Sequence, residues 1–295
     1  MTCKEEIPSV EMSHLDHLWF QISGTFCNLT CHHCFISCSP QNDTFGHLTL
    51  QNVKDRLEES VALGVKEYYF TGGEPFLHRE MVPILVETLR YGPATVLTNG
   101  TIFKDEWLGT LSEAEIESSY SLEFRVSIDG FSPETNDPVR GKGTFQRALK
   151  GIVQLVEYGF LPIITAVRNW PDDQEQEVVA AFVDRLKQSG YSRPRIKILP
   201  TLYLGAETNR SHTYHPTERV TSGMLSDYDQ TQLVCEHSRI VTDRGVHVCP
   251  ILIESPDSLL GQSFQQATTP YQLRHGACYT CYQYGSICSN PSSAK

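Results

Sequence analysis

The chain has 295 residues, 40% of them hydrophobic and 20% charged, which is enough for one large α/β domain with a small appendage. Its formal net charge of −11, without a basic patch, argues against a nucleic-acid partner. No segment approaches the roughly 20 apolar residues of a membrane span. No apolar run follows the first six residues, so we expect a cytoplasmic protein with no signal peptide and no membrane partner.

From residue 18 to residue 199, apolar segments typical of β-strands alternate with amphipathic segments typical of helices. The predicted strands are residues 18–23, 67–71, 94–97, 122–128, 161–167 and 195–199. The predicted helices are residues 50–63, 81–90, 105–117, 144–158 and 174–188. This alternation predicts a parallel sheet with crossover helices. Because six units are too few for a closed eight-stranded barrel, we expect an α/β fold that forms a partial (β/α)6 TIM-like barrel.

Cysteine, glycine and polar side chains follow the predicted strands where each strand ends. They are Cys27, Cys31 and Cys34 after the first strand, Gly72, Gly73 and Glu74 after the second, Asn99 after the third, Ser127 in the fourth and Arg168 after the fifth. In sheets of this kind, ligands bind at the carboxyl ends of the strands. We therefore expect the functional site at this end of the sheet.

The ten cysteines fall into two groups separated by nearly 200 residues without one, which suggests two metal sites. The first group, Cys27, Cys31 and Cys34, has the spacing C-x3-C-x2-C. Three thiolates can hold three irons of a [4Fe-4S] cluster and leave the fourth iron open to a substrate. The alternative is a zinc site completed by His32, His33 or Cys38.

This cysteine spacing after a first strand, with Gly-Gly-Glu-Pro after the second, resembles the radical S-adenosylmethionine (SAM) superfamily over residues 15–207. The resemblance implies that Cys27, Cys31 and Cys34 ligate a [4Fe-4S] cluster and that SAM chelates its open iron. One electron, from a low-potential donor such as a flavodoxin or ferredoxin, would then cleave SAM. The resulting 5′-deoxyadenosyl radical would abstract a hydrogen atom from the substrate.

The same resemblance implies a set of SAM contacts. Gly72 and Gly73 let backbone carbonyls approach the SAM ammonium group, and Glu74 adds a negative charge for it. Asn99 and Ser127 occupy positions where the family contacts ribose or methionine. Taken alone, each residue could as well be a turn or helix-cap residue as a SAM contact. Arg168 is predicted to pair with the SAM carboxylate.

The second cysteine group resembles the auxiliary-cluster appendages of this superfamily, called SPASM with two clusters and twitch with one. Its members are Cys235, Cys249, Cys278, Cys281 and Cys288. Five cysteines cannot hold two full clusters, so we predict one auxiliary [4Fe-4S] cluster on the first four, with a four-cysteine zinc site as the alternative. Cys288 is then a hydrogen-atom donor, a substitute ligand or a bystander. The predicted divisions are a core at 15–207, a connector at 208–232 and a small cysteine-rich appendage at 233–295.

Three functions remain open at this point. The first is a radical SAM enzyme that dehydrogenates or epimerises a small natural-product-type molecule, with Cys288 as the catalytic hydrogen donor in an epimerisation. The short stretch before the first strand favours a small substrate over a precursor peptide. The second is a SPASM-type maturase that modifies a ribosomally made peptide along a strand edge. The third is a non-catalytic iron–sulfur or zinc scaffold.

Overall fold

The computed structural model describes residues 6–285, 287 and 289. The strands are β1 Ser9–Val10, β2 His17–Gln21, β3 Glu67–Thr71, β4 Ala94–Thr98, β5 Leu122–Ser127, β6 Ile163–Val167, β7 Arg195–Leu199, β8 Ser238–Thr242, β9 Gly245–His247, β10 Leu259–Gly261 and β11 Tyr271–Gln272. The helices are α1 Leu50–Val61, α2 Met81–Thr88, α3 Asp105–Glu117, α4 Pro133–Arg140, α5 Thr144–Glu157, α6 Glu175–Gln188, α7 Glu207–Arg210, α8 Ser222–Leu225, α9 Val234–His237 and α10 Gly276–Tyr284.

The main sheet confirms the predicted partial barrel. Strands β2 to β7 are consecutive parallel neighbours, and a helical segment connects each strand to the next. The predicted bounds of α3, β3 and β7 agree with the structure, and the other predicted elements differ by a few residues at their ends. Helix α4 was not among the predicted elements. It carries an internal proline, Pro138, and begins with a capping box formed by Ser132 and Thr135.

Alternate residues of each strand serve two different purposes, because successive side chains in a strand point to opposite faces. One set packs against the helices in a continuous apolar core, as Phe20, Val96 and Phe124 do. The other set faces the interior of the barrel and lines a cavity, as Trp19 and Arg125 do. The large aromatic and branched side chains on the helix-facing side explain why these short segments form strands.

The C-terminal part of the chain extends the same sheet. Strand β8 pairs in parallel with β2, and β9 and β10 continue the sheet in antiparallel fashion. A second apolar core joins residues that follow β7, such as Leu202, to residues that flank β8 and β9, such as Val234 and Val248. The N-terminal strand β1 contributes Val10 to this core and pairs with β11. Of the helices in the described part of the chain, none is long and apolar enough to cross a membrane.

Candidate active site

The first cysteine group lies in the loop after β2, at the carboxyl ends of the barrel strands. Cys27, Cys31 and Cys34 all line one cavity of about 200 Å³. Two backbone N–H groups point at these sulfurs: Leu29 donates to Cys27 Sγ at 3.4 Å, and Cys38 donates to Cys34 Sγ at 3.3 Å. Such N–H···S contacts are typical around iron–sulfur clusters, where they stabilise the negative charge of the ligands. The donor set therefore fits an iron–sulfur cluster.

The protonation of these thiols depends strongly on their surroundings. Burial raises the pKa of Cys27 to about 12 and that of Cys31 to about 11. Cys34 differs, because a side-chain hydrogen bond from Cys38 outweighs burial and lowers its pKa to about 6. A bound metal centre would supply the positive charge that buried thiolates require. Among the described residues, no trio of His, Cys, Asp or Glu surrounds a point suited to a single metal ion.

Gly72 and Gly73 pack directly against the cysteine loop. Gly72 has a φ of +149°, and a Cβ atom there would lie 2.3 Å from Ser23 Oγ. A Cβ atom on Gly73 would lie 2.0 Å from the carbonyl oxygen of Phe26, the residue before Cys27. Because neither position has room for a side chain, the glycines let two loops approach closely at the edge of the cavity. Both glycines line that cavity, as predicted for a SAM contact.

The Glu74 carboxylate lies beside the cavity and is not among the groups that line it. Its oxygens accept hydrogen bonds from the Thr98 hydroxyl at 2.7 Å and from the backbone N–H groups of Asn99 at 2.8 Å and Phe76 at 3.0 Å. Burial raises the pKa of Glu74 to about 6 against the opposing effect of these bonds. In this arrangement Glu74 fixes the loop that carries Asn99.

Asn99 and Ser127 both line the cavity. The Asn99 amide nitrogen donates to Asn28 Oδ1 at 2.8 Å, which ties the loop after β4 to the cysteine loop. The Ser127 hydroxyl lies 3.1 Å from the Thr165 hydroxyl on the neighbouring strand β6. The structure thus places both residues at the carboxyl ends of the barrel strands, where the sequence predicted them.

Arg168 is not among the residues that line the cavity. Its guanidinium forms ion pairs with Asp172 at 2.8 Å and Glu175 at 2.5 Å, near the start of α6. Arg168 thus lies outside the cavity lining in this structure, and its pairing with the SAM carboxylate stays a prediction.

A buried ionic network that the sequence reasoning missed lies behind the cysteines. Asp129, just after β5, lies 2.9 Å from His33 and 2.5 Å from Arg140, the last residue of α4. Burial opposes ionisation of Asp129, but Arg140 and His33 hold its pKa well below the usual range. His33 and Arg140 both line the cavity. The sequence signals were His33, inside the cysteine spacing, and Asp129, directly after the fourth predicted strand; Arg140 depends on a helix that was not predicted.

The second cysteine group surrounds a separate apolar cavity. Cys235, Cys249, Cys278 and Cys281 line it together with Leu233, Val234, Ile251, Leu252, Tyr271, Leu273 and Ala277. All four are buried free thiols, and burial and mutual proximity hold the pKa values of Cys235 and Cys278 well above the usual range. Four convergent thiols suit either an iron–sulfur cluster or zinc by their donor chemistry. Cys288, the predicted hydrogen donor, lies outside the described residues.

The family model of the radical SAM superfamily matches residues 22–198, more than half of the chain. The chain belongs to the radical SAM superfamily. SAM and a [4Fe-4S] cluster are the cofactors that this superfamily uses.

Curated relatives of this radical SAM protein carry different activities. It is 30% identical over 175 residues to the mycofactocin maturase MftC of Mycolicibacterium smegmatis, which covers 56% of this chain and 43% of MftC. It is 34% identical over 140 residues to the AdoMet-dependent heme synthase of Methanosarcina barkeri, which covers 45% of this chain and 37% of the synthase. The chain thus spans less than half the length of either relative.

Solved structures share the fold of this radical SAM protein. The structure of anSMEcpe with bound AdoMet superposes with a TM-score of 0.62 at 17% identity, over 85% of this chain and 79% of that one. Streptococcus suis SuiB bound to S-adenosylmethionine superposes with a TM-score of 0.60 at 16% identity, over 83% of this chain and 62% of that one.

Proposed function

We propose that Cys27, Cys31 and Cys34 ligate the [4Fe-4S] cluster and that the cavity they line is where SAM and substrate meet. The observation that carries this proposal is the convergence of the three thiols on one cavity, closed on one side by Gly72 and Gly73. When bound and reduced, the cluster supplies the electron that cleaves SAM to methionine and a hydrogen-abstracting 5′-deoxyadenosyl radical.

The chain's own residues position and shield this chemistry. Gly72 and Gly73 present backbone to the cavity where a side chain would exclude a ligand. Asn99 and Ser127 offer polar groups for ribose or methionine. The apolar side chains around them, such as Leu97 and Val167, keep bulk water from the site. Arg140 adds a positive charge beside the cysteines, balanced by Asp129.

For the second cysteine group, the proposal is one auxiliary [4Fe-4S] cluster on Cys235, Cys249, Cys278 and Cys281. Support comes from four buried thiols around one apolar cavity. A cluster in this position would accept the electron left after hydrogen abstraction, or help to hold the substrate.

The proposed reaction is dehydrogenation or epimerisation of a small natural-product-type molecule. The cavity lining is mostly apolar with a few convergent polar groups, which is typical of small-molecule sites. The second candidate is peptide modification. Its support is that anSMEcpe, which has the same fold, was solved with bound AdoMet and the Cp18Cys peptide.

The test begins with the triple variant Cys27→Ala, Cys31→Ala, Cys34→Ala, purified and reconstituted without oxygen. It should lose reductive SAM cleavage, measured as 5′-deoxyadenosine formed with dithionite. Cys38→Ser is the matched control, because it removes a neighbouring thiol but keeps a side-chain hydrogen-bond donor toward Cys34 and leaves the three proposed ligands. Continued 5′-deoxyadenosine formation by the triple variant would falsify the ligand assignment. A wild-type protein that carries zinc in place of iron and sulfide would support the scaffold instead.

A further inference from the structure

The barrel interior carries three hydrogen-bond donors, at successive depths of the barrel wall, that the roles above leave unused. Trp19 on β2, Arg125 on β5 and Lys197 on β7 all line the cavity. In the parallel register Thr165 is opposite both Ser127 and Lys197, so the Ser127–Thr165 hydroxyl pair and Lys197 share one row of the barrel wall. Arg125 lies two residues before Ser127 on the same strand, one layer deeper.

The charge of this lining contrasts with that of the whole chain. The chain carries a net charge of −11, yet the described residues that line the cavity include three cations and no aspartate or glutamate. The cations are Arg125, Arg140 and Lys197. Arg140 pairs with Asp129 beside the cysteines. Arg125 and Lys197 are on the strands of the barrel wall, where Arg125 pairs with Glu123.

The surroundings of these two cations hold them at the cavity surface. Arg125 is 1% exposed, pairs with Glu123 through its Nε at 3.0 Å, and lies 5.4 Å from the centre of the Tyr69 ring. Lys197 Nζ donates to the carbonyl oxygen of Ser289 at 2.8 Å. Arg125 is buried and Lys197 is half-buried, so water screens their attraction for an anion less than it would at the protein surface.

Trp19 supplies an independent observation. Its indole ring stacks on Tyr69 at 4.3 Å and is 1% exposed. Within the described part of the chain, its buried Nε1–H has no hydrogen-bond partner. A buried donor without a partner costs free energy, and a ligand acceptor in the cavity would remove that cost.

We propose that Trp19, Arg125 and Lys197 form an anion subsite in the barrel interior that binds a carboxylate or phosphate group of the substrate. This inference rests on the proposed function, because it takes the cavity as the place where substrate binds. It narrows the substrate class to molecules that carry a negative charge at one end. The rest of such a molecule would extend from this subsite toward Gly72 and the cysteines.

Anion binding tests the subsite without knowledge of the substrate. Inorganic phosphate and acetate are titrated separately by calorimetry into the reconstituted chain with saturating SAM, at ionic strength held constant with sodium chloride. SAM then occupies its own anion contacts, so they do not contribute. The variants are Arg125→Met, Arg125→Lys and Lys197→Met, with Lys150→Met, an exposed position on α5, as the charge-matched control.

Wild type should bind at least one of the two anions. Arg125→Met and Lys197→Met should each weaken that binding by about tenfold. Arg125→Lys should restore part of the affinity, and Lys150→Met should leave it unchanged. If phosphate binds and acetate does not, the subsite is specific for a phosphate group of the substrate. If acetate binds, the subsite also accepts a carboxylate group. If Arg125→Met fails to fold, Lys197→Met carries the test.

The inference is overturned if wild type binds neither anion, or if the two methionine variants bind as wild type does. 5′-Deoxyadenosine formation by the wild-type protein is measured in parallel. Anion binding without that product means that the proposed function fails while the subsite stands. Formation of 5′-deoxyadenosine without anion binding refutes the subsite and leaves the proposed function standing.

Discussion

Replacing Asp129 with asparagine tests the buried network that links the cysteine loop to α4. The Asp129 carboxylate is fully buried between His33 at 2.9 Å and Arg140 at 2.5 Å, and Oδ1 also accepts the Val167 N–H at 2.8 Å. Asparagine keeps the shape but removes the charge, so the Arg140 guanidinium stays buried without its counter-charge. Loss of one partner from a buried ion pair costs about 3–5 kcal/mol. Total stability is typically about 5–15 kcal/mol, so the change is large.

Asp172→Asn is the matched control. Asp172 also pairs with an arginine, Arg168 at 2.8 Å, but its side chain is 88% exposed. Exposed ion pairs contribute at most about 1 kcal/mol. Urea denaturation followed by circular dichroism gives the free energy of unfolding of both variants and the parent. The reasoning is refuted if Asp129→Asn costs no more than Asp172→Asn.

The same network predicts a pH dependence. The pKa of Asp129 is held below the value of about 3.9 that an unfolded aspartate has. The carboxylate therefore stabilises the fold fully above about pH 5, and this contribution is lost as the pH falls through the folded pKa. The stability difference between parent and Asp129→Asn should shrink as the pH falls from about 5 toward the folded pKa of Asp129.

Three further changes probe the cavity wall and the second cysteine group. Gly73→Ala places a Cβ atom 2.0 Å from the Phe26 carbonyl oxygen. It should destabilise the chain by about 1–3 kcal/mol and lower its iron content on reconstitution. Gly223→Ala is the control, because nothing lies within 4 Å of the added Cβ atom, and it should change neither stability nor iron content. Trp19→Phe removes a buried donor without a described partner, so anion affinity should fall; equal anion affinity would contradict the subsite. Cys278→Ala should lower iron from about eight to about four per chain, and unchanged iron would remove Cys278 as a ligand.

The alternation of strands and helices could be read from the sequence because each strand has a strong apolar face. The segment Leu122–Ser127 is an example, with Phe124 and Val126 on the core side. The cysteines and the glycine pair could be placed at the edge of the sheet for the same reason, since they directly follow strands.

The rest of the site depends on contacts between distant segments. Helix α4 contains Asn136, Asp137 and Pro138, none of which favours a helix. It is held by long-range contacts such as the hydrogen bond from the His32 N–H to the carbonyl oxygen of Val139 at 2.9 Å. Because α4 positions Arg140, the ionic network behind the cysteines could not be predicted from local patterns. Likewise, β8 lies in a cysteine-rich stretch whose pairing with β2 has no local signal.

The pairing of β8 with β2 also bears on how the enzyme is assembled. Residues from the C-terminal part of the chain form one side of the cavity, where Pro250 lines it and the Ser289 carbonyl meets Lys197. That side is anchored by the second apolar core, which contains all four cysteines of the proposed auxiliary site. Metal insertion there would be a folding step for the wall of the substrate cavity. The protein would then assemble in a fixed order: the wall of the substrate cavity would form only after the auxiliary metal centre has bound to the four C-terminal cysteines.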